Sequence, residues 1–374
     1  MIRRRELLEL GALSAASAIA RPGFAEELLL QHGAAPQNLA TPLEALDRLI
    51  TPTPVFFVRS HFGPPALDPA RRLRISGLLG APLDLDVAAL RRFPEVTLTA
   101  VLQCAGNGRA LHEPRVPGVQ WIHGAMGQAT WTGVRLKDVL DRAGLSPGAA
   151  HVWLAGADLP PKPSTPRFLR SLPLARALDP STLIAYRMNG EPLSLSHGAP
   201  LRLVVPGWAG DHWVKWLTEL RVQKDEPDGF YYQTGYRMPT EPVAPGGSVP
   251  PEKMRPLTTF PVKSIVAQPL EGSRKARGEQ VIVGVAFSGE RPIGKVEVSL
   301  DGGASWRVAA LEGEAGPGRW QVFRYTFTAA APGPQRAMVR ATEAFGATQP
   351  EKAAWNPSGY FWNGWHVVSW EVVA

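Results

Sequence analysis

Residues 237–256 read RMPTEPVAPGGSVPPEKMRP, and neither a helix nor an inner sheet strand can run through so dense a series of prolines. The 374-residue chain is therefore expected to divide there, into a first domain of residues 26–255 and a second of residues 256–374. Glycine and proline occur 37 times each, about a fifth of the chain against a usual share of roughly 12%. That proportion excludes a helical bundle and favours short strands joined by turns. Beyond the linker, VKSIVA, QVIVGVAFS, KVEVSL, WQVFRYTFT and AMVRATEAF alternate apolar and polar residues at intervals that suit an all-β, immunoglobulin-like sandwich. Asp301-Gly302-Gly303 marks a hairpin, with Val296, Val298 and Leu300 on one face. The first domain mixes patterns and reads as α+β. RLKDVLDRAG puts Leu136, Val139 and Leu140 on one helical face and stops at Gly144, while VTLTAVLQ sets Val96, Leu98, Ala100 and Leu102 on one side of a strand.

Charge narrows the partners. Forty basic against 33 acidic residues give +7, of which +2 lies from Pro261 onward, and no segment is a dense block of lysine and arginine. Nucleic-acid binding is not expected. Past the first two dozen residues no apolar run is long enough to span a membrane. Residues 1–25 open with MIRRRELLELGALSAASAIA, an export signal whose paired arginines resemble those of the twin-arginine route, used by proteins that fold around a cofactor before crossing the membrane. The expected location is the periplasm.

Cys104 is the single cysteine, so neither an intrachain disulfide, a CxxC zinc site nor a CxxCH haem attachment can form. It falls where the strand ends and Gly106, Asn107 and Gly108 begin a turn, an arrangement that fixes a side chain while leaving it accessible. Three roles fit: a buried small hydrophobe, a thiolate nucleophile with His123 or His61 as base, or a soft ligand to a metal whose other ligands come from an organic chelator. Around it, VFFVRSH carries Arg59 and His61, QCAGNGR carries Arg109, and SHGAPLRLVVPGWAGDHWVKW carries His197, Arg202 and Lys215. Arginine and lysine beside glycine-rich loops are what a phosphate-bearing cofactor and an oxyanion require.

FFVRSH, LQCAGNGR, HGAPLRLVVPGWAG followed by VKWL, YYQTGYRMP and WNPSGYFWNGWHVV together resemble the sulfite oxidase family of molybdenum enzymes over nearly the whole mature chain. The resemblance implies one molybdopterin, whose dithiolene sulfurs bind one molybdenum per chain, with Cys104 as the protein's metal ligand. His61, His197, Arg202 and Lys215 match cofactor-holding positions. Arg59, Arg109, Trp121 and Tyr236 match the catalytic pocket around the oxyanion. The implied activity is oxidation of sulfite to sulfate; with no haem motif in the chain, electrons would pass to a separate c-type cytochrome. The implied architecture is an α+β molybdopterin-binding domain followed by an immunoglobulin-like dimerisation domain, hence a homodimer. Two departures stand out. The stretch Asn356 to Phe361 lacks the arginine that sulfite oxidases usually bring to the substrate, and His212 stands where the family commonly has arginine, as a pterin contact or a solvated loop residue. The runner-up is a sulfane dehydrogenase of a thiosulfate-oxidising system; from other classes come a cofactor-free exported binding protein and a Cys-His hydrolase.

Overall fold

The computed structural model describes residues 29–374 except residue 35. The export leader expected over residues 1–25 lies outside the described residues. Within them, no helix is long and apolar enough to cross a membrane.

Two five-stranded sheets and a three-stranded one build the first region. In one, Glu95–Gln103 and Met126–Arg135 pair antiparallel over their whole length, and Leu183–Met188 continues the sheet. In the other, Leu217–Gln223 lies between His151–Gly156 and Leu73–Gly77, the latter running parallel to it. One core lies between them, containing Trp131, Leu154, Leu203 and Leu220. The helices are short, four to eight residues each, so this region is more strand-rich than the α+β expectation. Leu136–Ala143 matches the helix read from the sequence: Leu136, Val139 and Leu140 are buried, and Gly144 ends it at φ 72°.

The second region packs a four-stranded sheet, Lys263–Gln268, Gly278–Phe287, Trp320–Ala329 and Ala310–Glu312, against a five-stranded one built around His366–Val373, Gly333–Glu343 and Ile293–Ser299. Val266, Ile282 and Phe323 from one face meet Val296, Val339 and Val368 from the other. The hairpin at Asp301 forms, with Gly302 and Gly303 supplying the positive φ it needs.

Two features differ from simple expectation. The proline-dense segment is tied down: Arg237–Pro239 pairs antiparallel with Met254–Pro256, and Arg237 Nη2 donates to the Met254 carbonyl at 2.6 Å. The strand ending at Cys104 buries both faces in its last four residues rather than one. Its second face is covered by the second region, whose Phe260, Ile265 and Trp320 share a core with Val101 and Met126. The strand that leads into Cys104 is thus clamped between the two regions.

Gln128 bridges them. Its Oε1 accepts from the Trp320 amide at 2.7 Å, and its Nε2 donates to the carbonyls of Leu49 at 2.8 Å and Trp320 at 3.3 Å. Gln128→Leu strands the buried Trp320 amide, while the Leu49 carbonyl keeps its bond from Trp320 Nε1. Denaturant unfolding should show a loss of about 1–3 kcal/mol; unchanged stability would mean that the bridge contributes nothing to the fold.

Candidate active site

Backbone bonds fix the turn after Gln103. The Cys104 amide donates to the Ala125 carbonyl at 2.9 Å, and the Cys104 carbonyl accepts from the Asn107 amide at 3.0 Å. The Asn107 side chain accepts from the Ala125 amide and donates to Gln103 Oε1. Held this way, Cys104 is partly exposed and lines a cavity.

Positive charge gathers at one part of the lining. Arg202 is 2% exposed; it donates to the carbonyls of His197 at 3.1 Å and Trp213 at 3.2 Å, while its Nε has no partner. The guanidinium sits over the Trp131 ring at 4.8 Å, and burial pulls its pKa down to about 9. Lys215 donates to the Ser196 carbonyl at 2.9 Å and lies 4.2 Å above the Trp216 ring. Burial first, then the Arg202 charge, brings the Lys215 ammonium down to about 7. His197 is pushed down to about 3 by burial and by both cations, so it is neutral. Asp158, the carboxyl facing them, is itself raised by burial, with Lys215 acting against that rise.

Another part of the same lining carries Arg59, His61 and Tyr236. Arg59 Nη2 lies 3.3 Å from His61 Nδ1, and His61 Nε2 lies 2.6 Å from the Tyr236 hydroxyl. A guanidinium can only donate, so Nδ1 accepts and the ring proton sits on Nε2. Burial and the Arg59 charge hold His61 down at about 3, in keeping with a neutral ring. The Tyr236 oxygen therefore accepts from His61, and its own O–H is free to donate. Burial raises the Tyr236 pKa, so that proton stays on the phenol. Tyr236 adopts φ 55°, as do Trp216 (51°) and Phe361 (57°) nearby in the sequence to Lys215 and Tyr360, a backbone strain of about 1–3 kcal/mol each for bulky residues.

Seven of the nine residues expected from the sequence thus line one cavity: Cys104, Arg59, His61, His197, Arg202, Lys215 and Tyr236. Arg109 and Trp121 do not. The Arg109 guanidinium donates to the carbonyls of Ser358 and Val119, is pressed by Gly106 and Gly118, and lies 5.2 Å from the Tyr360 ring. It anchors the C-terminal segment beneath the site. Trp121 is fully buried in the main core against His32. His123, one candidate base for a thiolate nucleophile, packs on His366 at 4.2 Å and on Trp362 rather than lining the cavity.

Sequence reasoning missed Arg170, Asp211 and Tyr360. Arg170 Nη2 pairs with Asp211 Oδ2 at 2.6 Å with both side chains almost wholly buried, and its guanidinium lies 5.2 Å from the Tyr236 ring. His212 completes the group, 3.3 Å from each partner and 1% exposed, which excludes the solvated-loop reading. Tyr360 stacks on Tyr236 with centroids 5.7 Å apart and planes 11° from parallel. No local pattern announces these contacts. Arg170 would be visible only as a charge inside an otherwise apolar strand.

Among the described residues no three of histidine, cysteine, aspartate and glutamate converge on a metal position. One cysteine in a cavity with buried cations that pair with no carboxylate fits a metal carried in by an anionic chelator. The unpartnered Arg202 Nε and the Lys215 ammonium match the phosphate of a molybdopterin, and the Cys104 thiol matches a soft metal.

Comparison with known proteins agrees with this geometry. Residues 61–231 match the oxidoreductase molybdopterin binding domain, and residues 255–372 match the Mo-co oxidoreductase dimerisation domain. The mitochondrial sulfite oxidase of Homo sapiens is 38% identical over 350 residues, covering 89% of this chain and 64% of that protein. Sulfite oxidase of Arabidopsis thaliana is 33% identical over 359 residues, covering 89% of this chain and 91% of that protein. The chain thus spans under two thirds of the length of the mammalian relatives it matches. The crystal structure of the sulfane dehydrogenase SoxCD from Paracoccus pantotrophus superposes with a TM-score of 0.80 at 28% identity, covering 95% of this chain and 92% of that one.

Lys215 gives the cavity a pH dependence. In the cofactor-free chain its ammonium is charged below about 7 and neutral above, so affinity for sulfate should fall as pH rises through that value, by at most about tenfold per unit. Lys215→Met should bind sulfate weakly and without that slope; calorimetry reads both, and a flat profile in the wild-type chain would contradict the assignment.

Proposed function

Since the chain belongs to the sulfite oxidase family of molybdenum enzymes, with the molybdopterin cofactor its first domain implies, we propose that it oxidises sulfite to sulfate. One observation carries this reading: a lone cysteine shares a cavity with buried cations in one part and with an arginine and a proton-donating tyrosine in another. When bound, the molybdopterin supplies the two-electron redox chemistry, which no side chain here can perform. The chain's residues do the rest. Cys104 would hold the metal, and Arg202, Lys215 and His197 the phosphate-bearing part of the pterin.

Arg59 would attract and orient the oxyanion, and Tyr236 would donate its proton to an oxygen of the substrate. His61 acts through Tyr236: by donating Nε2–H to the phenol oxygen it turns the phenol proton toward the cavity. Arg109 leaves the substrate list in this account and serves as the clamp on the C-terminal segment. Trp121 leaves it as a core residue.

The remaining parts of the reading rest on the sequence. Electrons pass to a separate c-type cytochrome, the second region is an immunoglobulin-like sandwich that pairs two chains, and the leader exports the folded enzyme to the periplasm by the twin-arginine route. The domains meet near residue 255. A second reading, oxidation of sulfane sulfur, is favoured by Tyr360: the 356–361 segment brings a phenol rather than a cation against Tyr236.

Molybdenum analysis paired with sulfite-dependent reduction of cytochrome c tests the main reading. About one molybdenum per chain with sulfite turnover is expected, and molybdenum without sulfite turnover would move the assignment to sulfane. Cys104→Ser should remove turnover while leaving the circular dichroism spectrum unchanged; a fully active variant would exclude the ligand role. Tyr236→Phe should lower kcat by about 10²-fold or more, and an unchanged rate would take Tyr236 out of the mechanism.

A further inference from the structure

Asp211 lines the same cavity as Cys104 and Tyr236, and its carboxylate has charge partners at one oxygen only. Oδ2 lies at ion-pair distance from Arg170 Nη2 (2.6 Å) and His212 Nδ1 (3.3 Å), with neither aligned as a hydrogen bond. Arg170 also approaches His212 Nε2 at 3.3 Å; because the guanidinium can only donate, that nitrogen accepts and the imidazole proton sits on Nδ1, facing the carboxylate. Neither oxygen has an aligned hydrogen-bond donor, and Oδ1 has no charge partner within reach either, although the side chain is 1% exposed. An orphaned buried carboxylate oxygen requires a donor.

We propose that Asp211 is a specificity-determining residue of the active cavity, whose Oδ1 accepts a hydrogen bond from an O–H of the bound substrate, so that the site takes the protonated monoanion of a sulfur oxyanion in preference to the bare dianion. The inference rests on the oxyanion reading of the site and adds the substrate's protonation state. Its physics is selection by repulsion: a carboxylate oxygen attracts an oxygen that carries a proton and repels one that does not. The groups around Asp211 leave its charge in place. Arg170 and His212 hold its pKa below the ordinary carboxylate range against the opposing effect of burial, while His61 is neutral and Tyr236 stays protonated. Arg59 lies on the same cavity wall and supplies the attraction for the anion's net charge. The buried Arg170–Asp211 pair adds no net charge itself, so the pocket selects among anions by where their protons are.

Phosphate and sulfate separate these effects, since both are tetrahedral anions but at neutral pH only phosphate carries an O–H. The test is calorimetric titration of each into the full-length, molybdopterin-loaded chain, where the Lys215 part of the cavity is filled by cofactor. The wild-type chain should bind phosphate at least about tenfold more tightly than sulfate. In Asp211→Asn that ratio should shrink to within about threefold. Because Asp211→Asn leaves Arg170 buried without its counter-ion, the double variant Arg170→Met/Asp211→Asn is measured beside it and should show the same lost preference. Equal affinities in the wild-type chain, or a preference that survives in whichever variants fold, would overturn the proposal. Sulfite turnover of the same samples keeps the two readings apart: a loaded chain that prefers phosphate but oxidises no sulfite retains Asp211 as the selecting group and removes the sulfite assignment.

Discussion

Burial of two cations whose head groups bond backbone carbonyls rather than carboxylates is the constraint on which the site depends. Arg202 and Lys215 sit in a cavity wall where desolvation draws both pKa values down, with the Arg202 charge adding to the fall at Lys215. Removing such groups from water costs several kcal/mol each. Indole faces of Trp131 and Trp216 recover part of that cost, and an anion in the cavity would recover the rest. The first region, as it stands, is a mould for a negatively charged group, and the fixed turn at Cys104 sets a thiol on its wall.

The part around Tyr236 is held by different means. A chain of donors runs from Arg59 through His61 to the phenol and decides which way the phenol proton points. The second region takes part through the C-terminal segment: Tyr360 stacks on Tyr236, and the Ser358 carbonyl receives Arg109. Positive φ at Tyr236 and at Phe361, next to Tyr360, stores strain where these segments meet, a cost the surrounding packing must cover. The second region thus braces the site without lining its cavity, as the shared core behind Cys104 also does.

Much of this was legible in the sequence because it is local. The helix ending at Gly144, the strand ending at Cys104 and the alternating strands of the second region follow from periodicity and turn chemistry within a few residues. The cationic groups could be gathered from motifs because those motifs keep their spacing. What failed was environment. A motif match gives Arg109 and Trp121 a position in the chain, but only packing shows that one is tied to carbonyls and the other lies in the core. The Arg170–Asp211–His212 group joins a strand to a turn some forty residues away, and no periodicity links two such segments. Alternation picks out one face of the strand before Cys104, and it cannot show that the second region covers Val101 on the other.

The central claim is that Cys104 supplies a ligand to the metal of a bound molybdopterin. X-ray absorption at the molybdenum edge of the loaded chain tests it most directly, since the technique counts sulfur neighbours whatever the substrate proves to be. The account predicts one sulfur fewer around the metal in Cys104→Ser than in the wild-type chain. The same number of sulfurs in both would contradict it.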